Sequence, residues 1–80
     1  MAKIIDIREE FEFKNLPAFK EALKYPMSSF PDWVANLDKN ETYYIICRSG
    51  SRSKRITQKL RQLGFNAHNY EGGMLKAKDI

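Results

Sequence analysis

Eighty residues allow one domain, residues 1–80, with a small core, since a chain of this size buries only about 60% of its unfolded surface. With 42% hydrophobic and 30% charged residues the composition is that of a soluble globular protein, not a disordered one. One cysteine and one histidine exclude an intrachain disulfide framework and a zinc ligand set, so no metal and no cofactor is expected.

Neither a secretory signal nor an apolar run near the ~20 residues of a membrane span is present, and the free thiol then predicts a reducing, cytoplasmic setting without a membrane partner. The net charge of +4 is unevenly placed. Six basic residues and no acidic one lie between Cys47 and Gln62, leaving the rest of the chain with eight basic and ten acidic residues. Such a patch suits an anionic small substrate, an acidic protein or nucleic acid.

Lys3 to Ile7 is a short β-branched run and reads as a buried strand, with Asp6 and Arg8 at its end as an internal ion pair supporting the structure. Glu9 to Asn15 alternates Phe11 and Phe13 with charged residues and fits either an irregular loop or a short strand. Leu16-Pro17 discourages helix at residue 16, while Pro17 can open a helical turn through Lys20. Ala22 to Tyr25 reads as a second strand.

Ser28-Ser29-Phe30-Pro31-Asp32 carries a helix start, with a serine N-cap and proline in the first turn. Phe30, Trp33, Val34 and Leu37 then repeat at helical spacing. Thr42 to Ile46 is the strongest strand, apolar on both faces as central parallel strands are. A helix from about Ser51 to Leu63 places Ile56, Leu60 and Leu63 on one stripe and stops at Gly64. Phe65 to Tyr70 forms a last strand, Glu71 to Gly73 a turn, and residues 74–80 a weakly amphipathic tail that suits a short helix. Strands alternating with helices predict an α/β fold with a mostly parallel sheet flanked by helices.

The chemistry is expected at Cys47-Arg48-Ser49-Gly50-Ser51-Arg52, between the strongest strand and its helix. Amides at a helix N-terminus create positive potential that favours a thiolate, and a Gly/Ser loop lets successive N–H groups turn inward around a sulfur or an oxyanion. His68 lies far along the sequence and reads as an edge residue, so no Cys/His set of the protease type is evident. A nucleophilic cysteine with an anion cradle and no general base suits sulfane-sulfur transfer, in which sulfite leaves thiosulfate without needing a proton.

At these residues the sequence resembles the rhodanese family of sulfurtransferases. Ile4-Ile5-Asp6-Ile7-Arg8-Glu9 resembles the family's Asp-x-Arg strand, Ala22 to Met27 its Ala-x-Asn-Ile-Pro segment, and Tyr44 to Ser53 its active-site strand and loop. Leu63-Gly64-Phe65 and Glu71-Gly72-Gly73-Met74 resemble the two short motifs near its end. The resemblance implies a small three-layer rhodanese-like fold, Cys47 as the persulfide-forming nucleophile, and a cradle of amides from Arg48 to Ser53. It implies that Arg48 and Arg52 bind the donor's anionic group, with Ser49, Gly50 and Ser51 completing the substrate loop. Related phosphatases of the same fold use Cys-x5-Arg, whereas here Arg52 follows Cys47 after four residues, a loop tight for phosphate.

Three departures mark a minimal member: Asn15-Leu16-Pro17-Ala18 replaces a longer Gly-His-Ile-Pro-Gly-Ala segment, Ala77 stands where tryptophan is common, and the family's preceding strand and helix are missing. A missing edge and a small core favour marginal stability or self-association. The expected activity is a thiosulfate sulfurtransferase taking sulfur from a small anionic donor, thiosulfate or a persulfide, to a thiophilic acceptor. A protein sulfur donor or acceptor is a further candidate partner. The rival readings are a non-turnover persulfide carrier or redox-interaction module, a small phosphatase, and a nucleic-acid binder. The last lacks stacking aromatics within the basic helix, so nucleic acid is not expected as a partner.

Overall fold

The computed structural model describes residues 2–77. Its frame is one sheet of four parallel strands in the order β2-β1-β3-β4, where β1 is Ala2–Asp6, β2 Leu23–Lys24, β3 Thr42–Ile46 and β4 Asn66–Asn69. Three α-helices interleave, α1 at Phe30–Val34, α2 at Ser51–Gln62 and α3 at Gly73–Ala77, together with 3-10 turns at Glu10–Lys14 and Met27–Ser29. Parallel neighbours require crossovers, and these segments supply them.

Side-chain alternation on β3 builds a core on each face of the sheet. Tyr43, Ile45 and Cys47 face one side with Ile5, Ile7 and Ala67, and are covered by Trp33 of α1 and Ile56 and Leu60 of α2. Ile46 faces the other side, where Met74 and Ala77 of α3 cover it and Ile4, Leu16, Phe19 and Tyr70 pack around them. The result is a three-layer α/β arrangement with a sheet parallel throughout.

Several local expectations are corrected. Glu9–Asn15 is neither irregular nor extended: Glu10–Lys14 winds as a 3-10 helix, opened by a hydrogen bond from the Glu9 amide to the Glu12 carboxylate at 2.8 Å. No helical turn follows Pro17; the chain turns instead at Lys20 and Glu21, where the Ala22 amide reaches the Phe19 carbonyl. The strand expected over Ala22–Tyr25 shortens to Leu23–Lys24.

At α1, Ser29 occupies the N-cap but makes no side-chain cap bond, and Leu37 lies beyond the helix end at Val34. Leu63 is 48% exposed, because α2 turns its Ser53, Ile56, Thr57 and Leu60 to the sheet. Gly64 follows with φ of 95°, in the left-handed region where a helix stop favours glycine. Gly73 begins α3 instead of closing a turn, and residues 78–80 of the expected tail lie outside the described residues.

Candidate active site

The strand register brings the chemistry to one end of the sheet. Asp6 lies opposite Ile46 and Ile45 opposite Asn69, so the C-terminal ends of β1, β3 and β4 meet where parallel sheets open their ligand crevice. Arg8, Cys47 and Asn69 all leave the sheet there.

Cys47 is the first residue after β3, and α2 starts four residues later at Ser51. The connection doubles back sharply enough for the amides of Gly50 and Ser53 to donate to the Cys47 sulfur, at 3.1 and 3.3 Å. Gly50 makes this possible: its φ is 104°, and an added Cβ would stand 3.1 Å from the Gly72 amide nitrogen. The opposite side of the loop is held by α3. Its Met74 and Leu75 amides donate to the carbonyls of Cys47 and Arg48, at 2.8 and 3.0 Å. With those carbonyls bound outward, the loop's N–H groups are left to face the sulfur.

Gly73 packs so closely against this backbone that a Cβ there would lie 2.5 Å from the Cys47 carbonyl oxygen. The Gly72-Gly73 pair is therefore part of the site's construction, a role that neither the expected turn nor the motif resemblance specifies.

The Ser53 hydroxyl adds a further contact, 3.3 Å from the sulfur. It also lies within hydrogen-bond reach of the Asn69 side-chain oxygen and the Gly50 carbonyl, and the Asn69 side-chain amide donates to that carbonyl at 3.3 Å. Asn69 thus ties β4 to both the loop and the first turn of α2. Sequence reading missed it, since a lone asparagine at a strand end gives no sign of a partner sixteen residues away.

Burial pushes the Cys47 thiol up, but the Ser53 hydroxyl and the amides of Ser53, Gly50 and Ser49 together outweigh it and hold the thiol below the ordinary cysteine value. Among the described residues, the sulfur's hydrogen bonds come from backbone amides and a hydroxyl, and no base is among them. His68, on β4, lies against the Tyr44 ring and near Arg61, away from the sulfur.

The charged residues separate into two pairs. Arg8 is buried and grips Asp6 through its backbone amide, Nε and Nη2, the last at 2.8 Å. Its guanidinium also stacks over the Phe13 ring, 4.6 Å from the centroid, with Lys24 at the same distance from that ring. Arg52 is bound in a two-pronged pair by Glu12, at 2.8 and 2.7 Å. That pair lowers the Glu12 carboxyl below its usual range and raises Arg52. Arg48, Ser49 and Ser51 are exposed, and the serine hydroxyls lie 3.4 Å apart. A pocket of about 240 Å³ beside the loop is lined by Arg8, Phe11, Glu12, Asn15, Leu16 and Arg48. Among the described residues no cluster of His, Cys, Asp and Glu could hold a metal ion.

These features define a class: a parallel α/β domain whose strand-to-helix loop cradles one activated cysteine. The family model for the rhodanese-like domain matches residues 1–79, and the chain belongs to that family.

It is 38% identical over 72 residues to a Bacillus subtilis protein named "Putative sulfurtransferase YtwF", an alignment covering 90% of this chain and 69% of that protein. The crystal structure of SSP1007 from Staphylococcus saprophyticus superposes with a TM-score of 0.87 at 43% identity, covering 94% of this chain and 74% of that one. A tRNA uridine(34) hydroxylase from Wolbachia is 33% identical over 78 residues, covering 90% of this chain but only 29% of the hydroxylase. The chain therefore spans most of the Bacillus relative and less than a third of the hydroxylase. No helix among the described residues is long and apolar enough to cross a membrane.

Proposed function

We propose that the protein is a sulfurtransferase that moves sulfane sulfur from thiosulfate or a persulfide donor to a thiophilic acceptor through a persulfide on Cys47, in the reducing cytoplasm. The observation that carries this reading is the cradle itself, with two amides aimed at the sulfur and no base beside it. Family membership and the Bacillus relative support sulfur transfer as the class of reaction.

In the first step the Cys47 thiolate attacks the outer sulfur of thiosulfate. The new bond joins the Cys47 sulfur to that sulfur, the donor's S–S bond breaks, and its electron pair leaves with sulfite. No proton moves, so a site without a base suffices. In the second step an acceptor thiolate attacks the outer sulfur of the persulfide and Cys47 departs as thiolate. The Gly50 and Ser53 amides favour negative charge on the cysteine sulfur at the start and end of the cycle.

The sulfur is fully covered at 0% exposure, an observation that also favours a second reading, a carrier that is loaded by a protein partner and does not turn over. Mass spectrometry after thiosulfate treatment tests the shared intermediate. Wild type should gain about 32 Da, one sulfur atom, and Cys47→Ser nothing, as a covalent route requires. Thiosulfate-dependent thiocyanate production then separates the two readings, since a carrier loads without sustained product. No adduct from thiosulfate or from a persulfide donor would overturn both.

A further inference from the structure

Of the arginines at the mouth of the site, two are already paired with carboxylates of the same chain. Arg8 is committed to Asp6, and Arg52 to Glu12. Arg48 is exposed and, among the described residues, bonds no carboxylate. Glu12 also lines the same pocket as Arg48, the loop arginine that no carboxylate among the described residues holds.

Glu12 is firmly placed. Its Oε2 accepts the Glu9 amide as well as Arg52, and the Glu9 carboxylate is tied to the Ser28 amide and hydroxyl at 3.2 and 2.9 Å. The turn carrying Glu12 is thus fixed at its start, and Glu12 itself by Arg52. The same pocket also offers apolar surface, Leu16 and a Phe11 side chain that is 73% exposed.

We infer that Glu12 is a specificity-determining residue: by occupying Arg52 and lining the pocket beside Arg48, it selects sulfane donors that carry one negative charge and an organic group over dianionic thiosulfate. Organic thiosulfonates and organic persulfides have this chemistry. One anionic group meets Arg48, the organic portion lies against Phe11 and Leu16, and a second negative charge finds no free guanidinium because Glu12 holds Arg52. The inference rests on the sulfur-transfer reading above and narrows its donor. With a thiosulfonate, R–SO2–S⁻, the Cys47 thiolate attacks the outer sulfur, a Cys47 S–S bond forms, and the donor's S–S bond breaks. The electron pair leaves on the sulfinate R–SO2⁻. Charge balances, and no oxidant or proton is consumed.

The test compares wild type, Glu12→Gln and Glu12→Asp in two assays. The first measures the rate of persulfide formation from methanethiosulfonate and from thiosulfate, each divided by its rate with free cysteine. Wild type should favour methanethiosulfonate by roughly tenfold on this scale, the size expected when a second unit charge lacks a partly screened guanidinium partner. Glu12→Gln should speed thiosulfate by a similar factor while moving methanethiosulfonate by less than about threefold, and Glu12→Asp should keep the wild-type preference.

The second assay alkylates Cys47 with anionic iodoacetate and neutral iodoacetamide and does not depend on sulfur transfer. The iodoacetate-to-iodoacetamide ratio should rise in Glu12→Gln only. Equal acceleration of both reagents, or an unchanged ratio, would overturn the inference. If wild type takes sulfur from neither donor, the sulfur-transfer reading fails while the alkylation ratio still decides whether Glu12 selects by charge. If Glu12→Gln does not fold, the wild-type donor preference decides: no preference for methanethiosulfonate overturns the inference.

Discussion

The two arginine–carboxylate pairs are alike in chemistry and opposite in setting. Asp6 and Arg8 are two residues apart, joined across one strand end and excluded from water. Glu12 and Arg52 are forty residues apart, join a 3-10 turn to the start of α2, and remain partly wet, with Arg52 about one third exposed. The first pair is a fixture of the fold, because a charge left alone there has no solvent to turn to. The second pair links two distant segments at the edge of the loop, where solvent reaches it and weakens what its loss would cost. The difference shows that an arginine inside the cysteine loop is not by that fact a substrate ligand; what it already holds decides what it can receive.

Breaking the inner pair should have the largest effect. Arg8→Ala strands Asp6 in the core and is expected to cost about 3–5 kcal/mol, measured by urea unfolding. A loss below about 1 kcal/mol would place the pair among ordinary surface contacts. Gly73→Ala should follow, at about 1–3 kcal/mol, because its Cβ would press on the Cys47 and Arg48 carbonyls. It should also slow Cys47 alkylation, which a defect confined to packing elsewhere would leave unchanged.

Arg52→Ala should cost only about 1 kcal/mol, the upper end for a partly exposed pair. The same pair has a pH signature. Glu12 ionises at lower pH when folded than when unfolded, so its contribution is fully present above the unfolded carboxylate range near ~4.3 and is lost as pH falls through the lower folded value. Acid unfolding of Glu12→Gln should lack that portion of the pH dependence. At Cys47 the folded thiol is also lowered, so alkylation should rise at lower pH than for a free cysteine. Ser53→Ala removes the hydroxyl contact and should move that rise to higher pH while leaving stability less affected than Gly73→Ala does. The smallest effect is expected at Leu63→Gln, within about 0.5 kcal/mol by thermal melting, since half of that side chain is already in water.

What could be read in advance follows the range of the forces involved. β1 and β3 announce themselves through β-branched runs, and the loop from Cys47 to Ser51 through its position between an apolar strand and a basic helix. The nearness of Asp6 and Arg8 is visible because their partnership is local. Glu12 and Asn69 escape a reading of the sequence, and Gly73 shows there only as part of a motif, because each works on a partner far along the chain, Arg52, Ser53 and the Cys47 carbonyl respectively. The Glu10–Lys14 turn was illegible for a related reason. Its opening bond comes from a glutamate three residues on from Glu9, without the Ser or Thr that usually signals such a start. Leu63 was misread because a heptad-like stripe overshoots the end of a twelve-residue helix.

The clamp of Met74 and Leu75 on the carbonyls of Cys47 and Arg48 has a bearing on how the protein comes into being. A chain made from its N-terminus exposes its cysteine well before the amides that turn those carbonyls outward have been synthesised. Until then the nascent thiol lacks the finished ring of donors and behaves as an ordinary, weakly reactive cysteine. The lowered thiol and the completed fold therefore arrive together.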